Sequence, residues 1–244
     1  MTRVSVCLPA RDEAATIGAI VEQVDMLRRA GIVDEILVVD DASSDDTGDR
    51  ARRAGADVVR LDPPSGKGAA MRWGATLATG EVVVFLDADV SNFRPHFVTR
   101  LLDPILGDPR IHLVKGYYQR PYHGRQTEGG RVTELLARPL LEALAPAVAT
   151  VRQPLAGECA VSRAGLEAVE LAEGYAVDIA LLLDIASHFG PGAIAQVDLG
   201  VRCHRNRPLR ELGFQARAVL GAVLDRVPVS TTVPIGYPEV NASV

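Results

Sequence analysis

The chain is poor in cysteine: Cys7, Cys159 and Cys203 are the only three in 244 residues, odd in number and far apart. Without a C-x-x-C pair, neither a disulfide framework nor a thiolate zinc site is expected, and free thiols in a reducing cytoplasm are the reading. Long apolar runs are also missing. None approaches the roughly 20 residues of a membrane-spanning helix. The first residues enter a strand directly, without the pattern of a signal peptide. No membrane partner and a cytoplasmic location are therefore expected. Basic residues are in deficit, 26 Lys and Arg against 31 Asp and Glu, for a net charge of −5. That argues against a general nucleic-acid partner, which needs a basic face. Hydrophobic residues at 48% and charged residues at 23% fit a globule, not a disordered chain. The length suits one large domain with a substantial core.

What is present is a regular alternation. "RVSVCLPARDEAATIGAIVEQVDMLRRAG" reads as a strand over 3–8, a turn at Pro9, and an amphipathic helix closed by Gly31. "DEILVVDDASSDDTGDRARRAG" repeats it: a strand over 35–39, an acidic loop with Ser44 or Asp45 as helix N-cap, and a helix ending near Gly55. A strand over 57–61, a Pro-Gly loop, a helix from about Lys67 and a strand over 81–86 follow. Such alternation predicts right-handed βαβ units and a parallel sheet. Ligands of these sheets bind beyond the carboxyl ends of the strands. Pro9–Glu13, Asp40–Asp46, Ser65–Lys67 and Asp87–Asp89 all fall there, on one rim. The second half is less regular: a strand over 111–120, a polar loop, a long helix over about 131–149 interrupted by Pro139 and Pro146, a loop with a short strand, an apolar helix, a strand entering a basic loop, and a helix over 209–225. The boundaries expected are one domain over 1–225, with a half over about 1–119 and another over about 120–225, and an extended or frayed tail over 226–244.

The chemistry centres on "EVVVFLDADV", where an apolar run stops at Asp87, Ala88 and Asp89. In an extended chain residues two apart face the same side, so the two carboxylates meet at one spot. Like charges that close repel, and burying them unpaired is costly. A positive partner is required. A hard divalent cation sharing a diphosphate is one; an arginine or a helix cap is the other. "RCHRNRPLR" (202–210) is the densest basic run and reads as an anion clamp, with His204 a further metal-ligand candidate. "EGGRVTE" places Gly130 and Arg131 at a helix start, where free backbone N–H groups favour an anion. "SGKG" lacks the full P-loop spacing. It leaves Lys67 as a lone cation at a helix start.

Together "CLPARDEAATIG", "VVDDASSDDT" and "FLDADV" resemble the landmarks of GT-A type glycosyltransferases. "GGRVTELLARPLL", "QPLAGE", "GYAVDIALLLD" and "VDLGVRCHRNRPL" narrow the resemblance to the glucosyl-3-phosphoglycerate synthase family of retaining enzymes. It covers about residues 3–225. The resemblance implies an α/β, GT-A type Rossmann-like fold with a mostly parallel central sheet flanked by helices. It implies transfer of glucose from UDP-glucose to 3-phosphoglycerate with Mg²⁺ or Mn²⁺, and a homodimer. Carried over, it places Pro9, Ala10, Arg11, Glu13 and Asp41 around the uridine, and Lys67 near the donor. Asp87, Ala88 and Asp89 would face the nucleotide and metal, with Asp89 and His204 as protein ligands. Leu155 and the turn after it would face the sugar, Arg202 the diphosphate, and Asp178 would orient the glucose. Gly130, Arg131, Thr133 and Asn206 would bind the acceptor. The sequence departs in three places: Asp178 stands where glutamate is usual, "ARDE" replaces "ALNE", and the loop over 120–128 is compact. Alternatives left open are another small phosphorylated or carboxylated acceptor, a sugar-phosphate nucleotidyltransferase, a lipid-phosphate glycosyltransferase, and a non-catalytic nucleotide-sugar-binding regulator.

Overall fold

Strand β1 (Val4–Ala10) turns Val4, Val6, Leu8 and Ala10 to one side and Cys7 to the other, and all five are buried. A strand apolar on both faces belongs in the middle of a sheet covered on both sides. The computed structural model places it there, and it describes residues 2–122, 125–127, 130–203 and 209–228. β1 lies between β2 (Glu35–Asp41) and β4 (Val82–Phe85), parallel to both, and β3 (Asp57–Leu61) continues the parallel set beyond β2. On the other side of β4 the direction changes. β7 (Cys159–Ser162) runs antiparallel to β4 and to β5 (Leu113–Tyr122). β5 in turn pairs antiparallel with β6 (Arg125–Thr127) and parallel with β8 (Ile194–Val201). The order is β3-β2-β1-β4-β7-β5-β6, with β8 also on β5. The mostly parallel sheet expected from the sequence is present, with β7 the reversed strand at its centre.

Helices cover both faces. Ile17, Ile20, Val21 and Val24 of α1 (Ile17–Arg29), Ala51 of α2 (Thr47–Ala54) and Phe97, Val98 and Leu101 of α4 (His96–Gly107) pack with Val6 and Leu8. On the opposite face, Ala70 and Met71 of α3 (Lys67–Leu77) and the apolar helix α7 (Val177–Phe189) pack with Cys7, Val39 and Phe85. Leu141 of α5 (Arg138–Leu144) joins that second layer, as do Val219 and Val223 of α8 (Leu209–Arg226). A six-residue helix, α6 (Arg163–Ala168), follows β7 and is capped by the Ser162 hydroxyl, which accepts from Gly165 N. Among the described residues no helix is long and apolar enough to cross a membrane.

Four local expectations need correction. β1 runs through Pro9 to Ala10 instead of turning there. β4 pairs with β1 only as far as Cys7, so Pro9 lies beyond the last rung on that side and its missing donor disrupts nothing. At α2 the helix begins one residue later than expected: the residue before it is Asp46, while Asp45 accepts from Thr47 N at 3.0 Å. The helix expected over 131–149 ends at Leu144, where Pro146 starts a short 3₁₀ turn. Before Pro139, which offers no N–H to the carbonyl four residues back, the chain widens into a π turn over Thr133–Ala137. The tail over 229–244 lies outside the described residues.

Candidate active site

The loops beyond β1 and β2 are tied together. Asp12 N donates to Ser43 Oγ at 3.0 Å, Glu13 N to Thr47 Oγ1 at 2.8 Å, and Asp12 Oδ1 accepts from Ser44 N at 2.6 Å. Asp12 and Ala42 both sit at a φ of 54°, in the left-handed region that side chains rarely adopt. The mutual hydrogen bonds hold them there. One step along the rim, Asp41 accepts from Ser65 N at 2.6 Å and Gly66 N at 2.9 Å, which fixes the turn into α3. Gly66 makes that turn at a φ of 87°, and Lys67 begins the helix. Arg11, half exposed, stands 3.9 Å from Asp41.

Asp87 and Asp89 follow β4, and a cation does sit between them. Nη2 of Arg202 donates to Asp87 Oδ2 at 2.7 Å and to Asp89 Oδ1 at 2.9 Å. Arg202 comes from the residue after β8 and is 2% exposed. Its Nη1 donates to the Tyr118 hydroxyl at 3.2 Å, its guanidinium lies 5.0 Å from the Tyr118 ring centre, and its Nε stands 2.8 Å from Glu158 Oε1. Lys67 supplies the second cation. Its Nζ lies 3.0 Å from Asp87 Oδ1 and donates to Asp178 Oδ2 at 2.8 Å. Asp178 is in the first turn of α7, buried, with Oδ1 unpartnered. Two cations thus hold four carboxylates.

The electrostatics follow from that imbalance. Burial works against the Asp87 charge, but Lys67 and Arg202 outweigh it and hold its carboxyl well below the usual range. Burial and the neighbouring Asp87 raise Asp89 despite Arg202. Glu158 is pushed up to about 7 by burial, against the pull of Arg202. For Lys67, burial favours the neutral form, yet Asp178 and Asp87 keep it charged far above the ordinary lysine range.

The turn before β7 closes the floor. Ala156 N donates to Gln153 O at 3.1 Å, Gln153 Nε2 to Tyr118 O at 2.6 Å, and the buried Lys115 Nζ to Ala156 O at 2.5 Å. Leu155 is thereby presented to the cleft. Gly157 has no room for a side chain: a Cβ there would lie 2.1 Å from Asp87 Oδ1 and 2.6 Å from Lys67 Nζ. Asp87 cannot retreat, because Arg202 and Lys67 hold both its oxygens. Gly157→Ala is expected to separate the Asp87–Lys67 pair and lower kcat/KM by about 10²-fold, the effect of an ångström-scale misplacement. Steady-state kinetics on the folded variant checks it.

At the far end of the cleft, Gly130 and Arg131 open the helix that leads into the π turn, and Thr133 is buried just behind them. Arg120, at the end of β5, donates to the Tyr118 hydroxyl at 3.0 Å and lies against Gly130. The whole cleft, about 650 Å³, is lined by residues from both halves of the chain. Pro9, Ala10, Arg11, Glu13 and Asp41 line one end, Lys67, Asp87, Ala88, Asp89, Leu155, Asp178 and Arg202 the middle, and Gly130, Arg131 and Thr133 the other end. Residues 5–153 match the model of the family described as "Glycosyl transferase family 2".

The chain belongs to glycosyl transferase family 2.

Relatives of this family 2 glycosyltransferase match it through both halves. It is 45% identical over 238 residues to the glucosyl-3-phosphoglycerate synthase of Mycolicibacterium smegmatis, covering 93% of this chain and 78% of that protein. To the enzyme of the same name from Petrotoga mobilis it is 38% identical, covering 92% and 73%. The solved glucosyl-3-phosphoglycerate synthase of Mycobacterium tuberculosis in complex with Mn²⁺, UDP and glucosyl-3-phosphoglycerate is 44% identical and has a TM-score of 0.85, covering 94% of this chain and 82% of that one. A second structure of that enzyme holds Mn²⁺, UDP-glucose and phosphoglyceric acid, with the same identity and TM-score.

Of the residues singled out in the sequence, His204 and Asn206 lie outside the described residues. Every other residue that the resemblance assigned to donor, metal, sugar or acceptor lines the cleft, whereas Asp40, Asp45, Asp46 and Ser65 of the rim do not. Arg202 differs in its contacts: it lies on the carboxylates that the sequence reading gave to a metal. The sequence reading missed Tyr118, Arg120, Gln153, Lys115 and Glu158. "QPLAGE" contains two of these, and a buried carboxylate beside a glycine-fixed turn was the one signal available.

The site is suited to a divalent cation. Two hard oxygen donors converge on one point already taken by positive charge, the donor chemistry Mg²⁺ and Mn²⁺ prefer. Among the described residues no group of three or more His, Cys, Asp or Glu forms a complete ligand set.

Proposed function

We propose that this family 2 glycosyltransferase moves glucose from UDP-glucose to 3-phosphoglycerate, with retention at the anomeric carbon and dependence on Mg²⁺ or Mn²⁺. The observation that carries the reading is that one cleft joins two unlike ends: the Asp87–Asp89 pair with its cations, and the end lined by Arg120, Arg131 and Gly130. The relatives that this chain matches are glucosyl-3-phosphoglycerate synthases, which supports the same donor and acceptor. Asp89 and His204 would hold the cation, with Asp87 beside them. Bound there, it would neutralise the departing diphosphate and orient it.

The chain's own residues divide the remaining work. Asp41 and the interlocked loops beyond β1 and β2 shape the nucleotide end, and Lys67 and Arg202 supply positive charge near the diphosphate. Asp178 keeps one oxygen free of protein partners for a sugar hydroxyl. Leu155 covers the reacting face, where water would otherwise compete. Arg131, Gly130 and Thr133, with Asn206, take the phosphate and carboxylate of the acceptor. In this reading no side chain acts as a covalent nucleophile. The acceptor hydroxyl forms the new glycosidic bond from the leaving-group face as the bond to the diphosphate oxygen breaks, and its proton passes to a donor phosphate oxygen.

UDP release by purified protein with UDP-glucose and Mg²⁺, with and without 3-phosphoglycerate, tests this. A glucosylated phosphoglycerate by mass spectrometry, lost when EDTA is added, is the expected result. Donor hydrolysis unaffected by 3-phosphoglycerate would reject the acceptor. Arg131→Ala is expected to raise the acceptor KM by about 10-fold or more, the loss of a charge-assisted contact, with the donor KM unchanged; a change confined to the donor KM would reject the subsite assignment. A second reading keeps the fold and the donor and exchanges the acceptor for another small phosphate, favoured by the Mycobacterium tuberculosis enzyme's structure with glycerol 3-phosphate. A homodimer belongs to the same proposal.

A further inference from the structure

Arg202 has to satisfy two conditions that conflict. It is 2% exposed, so its charge needs an anion within reach. Two of the anions it uses, Asp87 and Asp89, are the pair proposed to face the cation and the nucleotide. For both oxygens of Asp89 to be available to a cation, Nη2 of Arg202 must release Oδ1. A buried guanidinium deprived of those carboxylates would be costly unless another anion stays with it.

That anion is present. Glu158 is 1% exposed and does not line the cleft. Its Oε1 lies 2.8 Å from Arg202 Nε, a nitrogen that the aspartates do not use. Its main chain is fixed by Gly116 N, which donates to Glu158 O at 2.9 Å. The contact is an ion pair without hydrogen-bond geometry, and both Glu158 oxygens and Arg202 Nε are buried with no hydrogen-bond partner, so the carboxylate can accept donors if the guanidinium turns. Among the described residues, Glu158 is the one carboxylate on Arg202 outside the aspartate pair. Tyr118, the other group on the guanidinium, cannot take its place, because burial holds its phenol neutral.

We infer that Glu158 is a positioning residue that acts through Arg202: it keeps the guanidinium in the site by its Nε edge, so that Nη2 can exchange Asp89 for the donor diphosphate. Without the Glu158 charge, the aspartates are the remaining anions for Arg202, and the guanidinium competes with the cation for them. This rests on the proposed metal-dependent transfer.

The test is a calorimetric titration of Mn²⁺ into metal-free protein in the presence of UDP at pH 8, above the value of about 7 to which burial pushes Glu158, for wild type and the isosteric Glu158→Gln. The variant is expected to bind Mn²⁺ at least tenfold more weakly, and to recover a kcat within threefold of wild type at saturating Mn²⁺. In an Arg202→Met background, Glu158→Gln should change the Mn²⁺ affinity by less than twofold. Three results overturn the inference: a Glu158→Gln titration that superimposes on wild type, a loss confined to kcat, or a tenfold loss that persists without Arg202. If Glu158→Gln unfolds the metal-free protein, Glu158 is a structural group and the inference falls as well. Wild-type protein that takes up no Mn²⁺ with UDP would instead reject the proposed function itself.

Discussion

Asp89→Ala is expected to reduce glucosyl transfer by about 10³-fold or more, because the charge stabilisation a bound cation gives to a leaving diphosphate is worth several kcal/mol. The fold should survive. Arg202 keeps Asp87 and Glu158 as partners when Asp89 is removed, and Asp89 is itself held above the usual carboxylate range by burial and by Asp87. Removing it therefore relieves a like-charge contact while deleting a ligand. The expected result is a metal-free melting temperature close to wild type, together with UDP binding that no longer responds to Mn²⁺. Both are read in one thermal-shift series with and without metal and nucleotide. A near-normal transfer rate would reject the assignment of Asp89 to the cation.

Lys67→Met should have its largest effect on stability, about 3 kcal/mol, the scale for deleting one partner of a buried ion pair. Asp87 would keep Arg202, but Asp178 would be left buried with no cation on either oxygen. Methionine fills the space of the lysine stem, so the loss reports charge more than packing. The dependence on pH follows from the two shifts. Lys67 is raised in the folded state, so its contribution is fully present below the ordinary lysine value and is lost as pH rises past its folded value. Asp87 is lowered, so its contribution is present above the ordinary aspartate value and is lost as pH falls through its folded value. The difference between wild type and variant should thus be flat between about pH 5 and pH 9 and shrink below about pH 4. Urea denaturation of metal-free protein across that range checks both size and shape. A stability difference under about 1 kcal/mol at pH 7 would show that solvation by water can replace the Lys67 contact at Asp178.

The parts legible in the sequence were those that physics makes local. Apolar runs of four to seven residues separated by helical spacing gave β1 to β4 and the helices between them. The single alanine between Asp87 and Asp89 was enough to require a cation. What was not legible depended on contacts between residues far apart. Arg202 read as part of a basic loop aimed at anions, yet it crosses more than a hundred positions of sequence to lie on Asp87 and Asp89. Lys115 looks like an ordinary strand lysine, and nothing in its neighbourhood says that its amine will be buried against the Ala156 carbonyl. The direction of β7 was equally hidden, because four residues, "CAVS", fit a parallel or an antiparallel slot. At Pro139 the sequence announced an interruption without its form, a π turn instead of a break.

The reversal of β7 has a consequence for how the cleft can vary. A parallel strand delivers to this rim the segment that leaves it, whereas a reversed strand delivers the segment that enters it. The turn carrying Leu155 and Gly157 is such an entering segment, anchored behind by Gln153 and Lys115 and ahead by β7 between β4 and β5. It interrupts none of the βα units that position Asp41, Lys67 and Asp87. Apart from Gly157, which Asp87 and Lys67 crowd, residues can be exchanged along it without moving the register of those strands, so the frame that holds the nucleotide end and the surface that meets the sugar are largely separate parts of one sheet.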